Sequence, residues 1–205
     1  MSENAVLRHA DAGDWELAVA EAERAVEAGD RLDAGDAWPA VMVLYLRGDL
    51  AGASAVPPLV SPGGADADRA LLAAWSASVA WARGEVAACR ELADRALAGA
   101  AGEPRALAAA HTALALLAAA EGARRANERH YALGLAAAER CEDRTQQLRI
   151  RTNRASQRME EGDLTGALAE LDHVLWRFGS GRTPIRTDSG WCTTTGPRFW
   201  YGPDG

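Results

Sequence analysis

The sequence predicts an all-α fold, an α-solenoid of about five antiparallel helix pairs. Three observations predict it. Alanine is close to a quarter of the 205 residues, with Leu, Arg and Glu following, and these side chains lose little freedom in a helix. Gly-Asp-x-x-x-Ala recurs as GDWELA at 13–18, GDLAGA at 48–53 and GDLTGA at 162–167. GEVAAC at 84–89 and GARRAN at 122–127 are weaker relatives. The five anchors, Gly13, Gly48, Gly84, Gly122 and Gly162, then lie 35, 36, 38 and 40 residues apart. A drifting period in this range marks stacked helical hairpins.

Each hexamer reads as the elbow of a hairpin. Gly ends one helix because it takes the left-handed C-cap conformation without a Cβ clash. The following Asp starts the next by accepting a backbone N–H at its positive end. The small residue closing the hexamer lets the two helices approach. Seven residues further, two helical turns, a second small or apolar residue recurs: Ala25 after Ala18, Ala96 after Cys89, Val174 after Ala167.

The hairpins fall at about 3–30, 34–60, 69–101, 105–142 and 146–178, making 1–178 the helical domain. In the first, ELAVAEAERAVEA follows the elbow. In the second, the chain after Gly48 runs into AVPPLVSPGG at 55–64, where Pro57, Pro58 and Pro62 stop any helix. Either that helix is about two turns long or the array is offset there. The third pairs LLAAWSASVAWAR with VAACRELADRALAG. The fourth opens with LAAAHTALALLAAAE. The fifth pairs QLRIRTNRASQRMEE with LTGALAELDHVLWRF. From Gly179 the texture changes to Gly, Thr and Pro with Trp191, Phe199, Trp200 and Tyr201. Three readings of this tail stand: loose order, aromatics folded back over the uncapped last hairpin, and a recognition peptide.

These residues resemble the tetratricopeptide repeat, with its Gly-Asp-aromatic-x-x-Ala elbow and Ala seven on. GDWELA with Trp15 and Ala25 is the fullest match; GDLAGA and GDLTGA place Leu at the aromatic position. Asn153, nine residues before Gly162, fits a common Asn of the first helix. The resemblance implies a right-handed solenoid whose first helices line a concave groove that binds a protein or peptide. Counting each anchor Gly as position 15, inward positions 2, 5, 9, 12 and 13 nominate the lining. It comprises Trp38, Met42 and Tyr45; Leu71, Ser78 and Trp81; Thr112 and Leu116; and Arg149, Thr152, Ser156 and Met159. Aromatics with a few hydroxyls suit a peptide or a small amphiphilic effector. Trp38 and Trp81 at helical spacing also read as core.

The stretch 105–178 is similar in texture to the helical-repeat region of large LuxR-type ATP-binding transcriptional regulators of actinobacteria. That resemblance implies a regulator's sensor or interaction module. No GxxxxGK[ST] accompanies it, the chain having no lysine, and no recognition-helix segment follows. The resemblance therefore implies a truncated relative or fragment holding the sensor part alone, without direct nucleic-acid binding.

Composition points the same way. A formal charge of -7 repels a phosphate backbone. No apolar run approaches the roughly 20 residues of a membrane helix, and MSENAVLRHADAGD has no secretory pattern. Cys89, Cys141 and Cys192 stand far apart without CxxC, as reduced cytoplasmic thiols do. His9, His111, His130 and His173 lack metal-ligand spacing, and no GxSxG or HExxH occurs. The expectation is a non-catalytic chain with no cofactor or metal. Arg151, Arg154 and Arg158 share a helix face at i, i+3, i+7. They read either as a clamp for carboxylate or phosphate or as a solvated face paired with Glu139, Glu142 and Asp143.

Overall fold

A computed structural model describes residues 4–178. The readings of Trp191, Cys192, Phe199, Trp200 and Tyr201 lie outside the described residues. Those described form ten α-helices: α1 Ala5–Ala12, α2 Trp15–Ala28, α3 Ala34–Arg47, α4 Leu50–Ala55, α5 Asp66–Ala82, α6 Val86–Gly99, α7 Pro104–Ala120, α8 Arg124–Arg140, α9 Arg144–Glu160 and α10 Leu164–Phe178. The sequence expectation of an all-helical chain in adjacent packed pairs is met.

The elbows explain the pairing. Gly13, Gly48, Gly84, Gly122 and Gly162 all have positive φ, from 68° to 91°. At each, the glycine N–H donates to the carbonyl three residues back, and the next N–H to the carbonyl five before it. At the last elbow these are Gly162 N to Met159 O at 3.1 Å and Asp163 N to Arg158 O at 2.8 Å. This double closure is the Schellman motif. The Asp side chain then starts the next helix at two elbows: Asp49 accepts from Gly52 N and Asp163 from Gly166 N, both at 2.9 Å. Asp14 departs from the expectation and makes no side-chain cap bond. The closing residues of the hexamers, Ala18, Ala53, Cys89, Asn127 and Ala167, are all buried. Of the residues seven on, Ala96 and Val174 are buried and Ala25 is half-buried.

Two layers result. The first helices α1, α3, α5 and α7 pack in succession as well as on their own partners, whereas the second helices touch one another little; α9 packs on α8 and α10 and only brushes α7. An inner helix enclosed this way has no face left for water and reads apolar all round. In α3 every residue from Ala37 to Leu46 is buried. The two outermost first helices differ: α1 buries only Val6 and Ala10, and α9 buries Gln146, Gln147, Arg149 and Asn153.

Hairpin two takes the short form. α4 ends after six residues, and Pro57–Leu59 continue as a single 3₁₀ turn. The loop is tied back to the linker before α3 by Leu32 N to Leu59 O at 3.1 Å and Ser61 N to Leu32 O at 2.8 Å. At the other end of the described chain, α10 shows solvent an apolar face with Leu164, Leu168 and Leu175 each at least 60% exposed.

Candidate functional site

The face expected to be an open groove is filled by its own side chains. Trp38, Met42, Tyr45, Leu71, Ser78, Trp81, Thr112 and Arg149 are buried. Leu116, Thr152 and Ser156 are half-buried, and Met159 is exposed. Trp81 lies apart from Trp38, in a cluster with Cys89, Ala93, Leu114 and Leu117. Of the two readings of these tryptophans, core is where both are placed. Long side chains of α7 and α9 close the face by reaching α3. Arg105 of α7 lies over the Trp38 ring at 5.8 Å. Arg149 of α9 lies over Tyr45 at 5.1 Å and over Trp75 of α5 at 4.9 Å.

Arg149 is the centre of this face. It is 6% exposed. Its Nη2 donates to Ser78 Oγ at 2.8 Å and Tyr45 Oη at 3.3 Å. Its Nη1 is buried with no partner. Among the described residues Arg149 makes no ion pair. Two aromatic faces and two hydroxyls thus carry the whole compensation of a buried cation, whose desolvation costs several kcal/mol. Tyr131 adjoins from α8. Burial pushes its hydroxyl up to about 12, partly offset by the charge of Arg149 and by the Asn127 and Asn153 side chains. Asn127 is buried in the elbow position that three other hexamers give to Ala, and its Nδ2 donates to Ala115 O at 2.8 Å. Sequence reasoning nominated Arg149, Tyr45 and Ser78 but missed Trp75, Asn127 and Tyr131. The polar residue in GARRAN's closing position was the available signal.

A second concavity lies where α4 stops short. It is a trough of about 620 Å³ between the Pro57–Gly63 loop, α5 and α6. Leu72, Val79, Ala88 and Leu92 contribute its apolar lining, and Arg69, Arg83 and Arg95 stand along it. Arg69 pairs with Asp66 and Arg83 with Glu85. Arg95 makes no ion pair among the described residues.

The arginine face of α9 is paired. Arg151 meets Glu139 at 3.3 Å and Glu170 at 2.9 Å, Arg154 meets Glu170 at 3.0 Å, and Arg158 meets Asp163 at 2.8 Å. Glu139 is a partner as expected. Asp143 is not: it caps α9 through Gln146 N and faces Arg105 at 3.5 Å. Glu170 of α10 takes the larger share.

One pair was invisible in the spacing. His111 of α7 and His130 of α8 place their Nδ1 atoms 3.2 Å apart, so one donates and the other accepts. Burial, helped by His130 and Arg129, lowers the His111 pKa to about 4; burial and Arg129 lower His130, against Asp94. No group of three or more potential metal ligands occurs among the described residues. Cys89 is buried, and burial pushes its thiol up to about 11. No described helix is long and apolar enough to cross a membrane. Comparison of the chain with protein-family models, curated proteins and solved structures finds no match.

Proposed function

We propose that this chain is a non-catalytic helical-repeat binding module that holds a protein or peptide partner. In this reading it is a right-handed, tetratricopeptide-like solenoid and the sensor or interaction part of a bacterial regulator in the cytoplasm. Five glycine-anchored elbows of one geometry support the repeat reading.

The trough beside α4 carries the binding reading. The other second helices run 14, 14, 17 and 15 residues, and α4 runs six. Some eight residues, about 12 Å of helix, are missing from the outer layer there, and the faces of α5 and α6 that they would cover remain open. The natural occupant is a short amphipathic helix. It would lay its apolar face on Leu72, Val79 and Leu92 and set a carboxylate against Arg95. Main-chain groups of such a peptide satisfy one another, so the trough has only to supply apolar cover and one charge.

The test is selection from a displayed library of peptides of about twelve residues. Amphipathic sequences with an acidic edge are the expected product, binding at least tenfold more weakly to Leu92→Glu and equally well to Arg149→Met. Enrichment of nothing, or of peptides indifferent to Leu92→Glu, refutes the assignment. A second reading, a domain for a small-molecule effector, is favoured by the uncompensated charge of Arg149.

A further inference from the structure

His111 on α7 and His130 on α8 line neither the trough beside α4 nor the cleft of about 320 Å³ that Asn127, Tyr131 and Arg154 line between α8 and α9. They stand on the two arms of one hairpin, on either side of the elbow at Gly122. Both are half-buried, so neither is closed off from water. Their Nδ1 atoms lie 3.2 Å apart, with ring centroids at 5.3 Å and planes tilted by 37°. Gly134, one turn beyond His130, sets bare backbone against α7. Even a methyl group there would touch His111 Cβ, at 3.4 Å. Packing of the two helices therefore holds the rings together, without help from a third side chain.

Two neutral imidazoles that meet through Nδ1 share one proton between them. The same two atoms are also a pair of nitrogen donors within the span of one metal ion. Zinc binds imidazole nitrogen at about 2.0–2.1 Å. Two such bonds to atoms 3.2 Å apart meet at roughly 100°, between the right angle of octahedral or square-planar sites and the tetrahedral angle. Exchanging the shared proton for an ion thus asks little movement of either helix. Among the described residues no group of three or more ligating side chains occurs, so water completes the coordination. A donor set of two neutral nitrogens suits late first-row divalent ions and does not suit Mg²⁺ or Ca²⁺, which take oxygen ligands.

We propose that His111 and His130 form an open two-histidine site for a late first-row divalent metal ion, Zn²⁺, Ni²⁺ or Cu²⁺, bound through both Nδ1 atoms. The shared proton leaves to solvent or to the outer nitrogen, and the ion ties α7 to α8 across the elbow at Gly122. The preformed hairpin keeps the ordering cost of binding low. Two charges bear on the site: Arg129 acts on both rings and opposes the ion, and Asp94 of α6 acts on His130 and favours it. The site stands whether or not the trough beside α4 holds a peptide.

Thermal unfolding and calorimetric titration of the tag-free, metal-stripped full chain test it, with Zn²⁺ and Ni²⁺ as probes and Mg²⁺ as the control. One ion is expected to bind per chain and to raise Tm by roughly 3 °C or more near saturation, with Mg²⁺ silent. His111→Gln and His130→Gln each remove one ligand and should weaken binding at least tenfold. Replacing the other two histidines together, His9→Gln with His173→Gln, should leave it unchanged. Electron paramagnetic resonance of the Cu²⁺-loaded chain should show coupling to two nitrogens, reduced to one in either single variant. Absence of any shift with Zn²⁺ and Ni²⁺ up to about 1 mM overturns the proposal. So does binding of native strength in His130→Gln, or binding lost in the His9 and His173 double variant. Should His111→Gln not fold, His130→Gln decides.

Discussion

Arg149 on α9 donates to Ser78 on α5 across 2.8 Å of space and 71 residues of chain. The same nitrogen reaches Tyr45 on α3, 104 residues away. A single side chain therefore ties the last described inner helix to the second and third, and it does so with a charge that no carboxylate among the described residues meets.

Removing that charge and removing that volume are expected to differ. Arg149→Ala leaves a cavity and two hydroxyls without their partner, and should cost roughly 2–4 kcal/mol. Arg149→Met keeps the packing on Trp75 and Tyr45 and removes the desolvation burden. It should lie within about 1 kcal/mol of the native chain or exceed it. Urea unfolding in carboxylate-free buffer measures both; equal losses would show that the charge itself contributes.

The His111–His130 contact makes stability depend on pH in a defined direction. His111 has its ordinary value, 6.5, in the unfolded chain and about 4 in the fold. Between these the unfolded chain binds more protons, so stability falls as pH drops from about 6.5 to 4 and is fully present above that window. The lowered pKa of His130 acts with the same sign. The urea midpoint should decline across this window, and less steeply in His111→Gln. A flat profile in the native chain would mean that the pair is open in solution.

Left-handed backbone positions not held by glycine give a third expectation. Glu142 closes the α8–α9 turn at φ 53°, donating to Glu139 O at 3.3 Å just as the anchor glycines do in their elbows. Glu142→Gly should raise stability by about 1 kcal/mol, and Gly162→Ala, at φ 80°, should lower it by a similar amount. Thermal melts of the two variants should move in opposite directions.

Gly134 sits inside α8, where glycine ordinarily costs about 1 kcal/mol relative to Ala. Here a Cβ would come within 3.2 Å of Ile150 Cδ1 on α9 and 3.3 Å of Ala108 O on α7. Gly134→Ala should therefore forfeit the usual helical gain, and Gly134→Leu should cost about 2 kcal/mol or more by driving three helices apart. A clear stabilisation by alanine would show that α8 rides looser than this contact requires.

The elbows were legible because their chemistry is local. A glycine that must take positive φ, an acid one residue later and a small residue four beyond it all act within two turns of chain. The hexamers at 48 and 162 accordingly predicted their caps, their closures and their buried alanines. The proline run at 55–64 likewise announced that α4 stops early. Pairings that cross helices left weaker marks. Nothing in a spacing of 19 sets His111 against His130, and Glu170 could not be named as the partner of Arg151 and Arg154 before α10 was laid along α9.

The sequence by itself determined a helical chain, hinged at five glycines, with apolar first helices in its three middle hairpins. What only the tertiary structure decided is the fate of the polar and aromatic residues those helices carry. Repeat register assigns Trp38, Tyr45, Ser78 and Arg149 to one face, and register is a property of each helix alone. Whether that face is an open groove or a closed seam depends on how sharply successive pairs turn. Such an outcome depends on contacts along the whole array, and no single residue encodes it. Here Arg149 of α9 reaches Tyr45 of α3 and Ser78 of α5 and is buried, and the openings lie elsewhere: beside the shortened α4 and between α8 and α9.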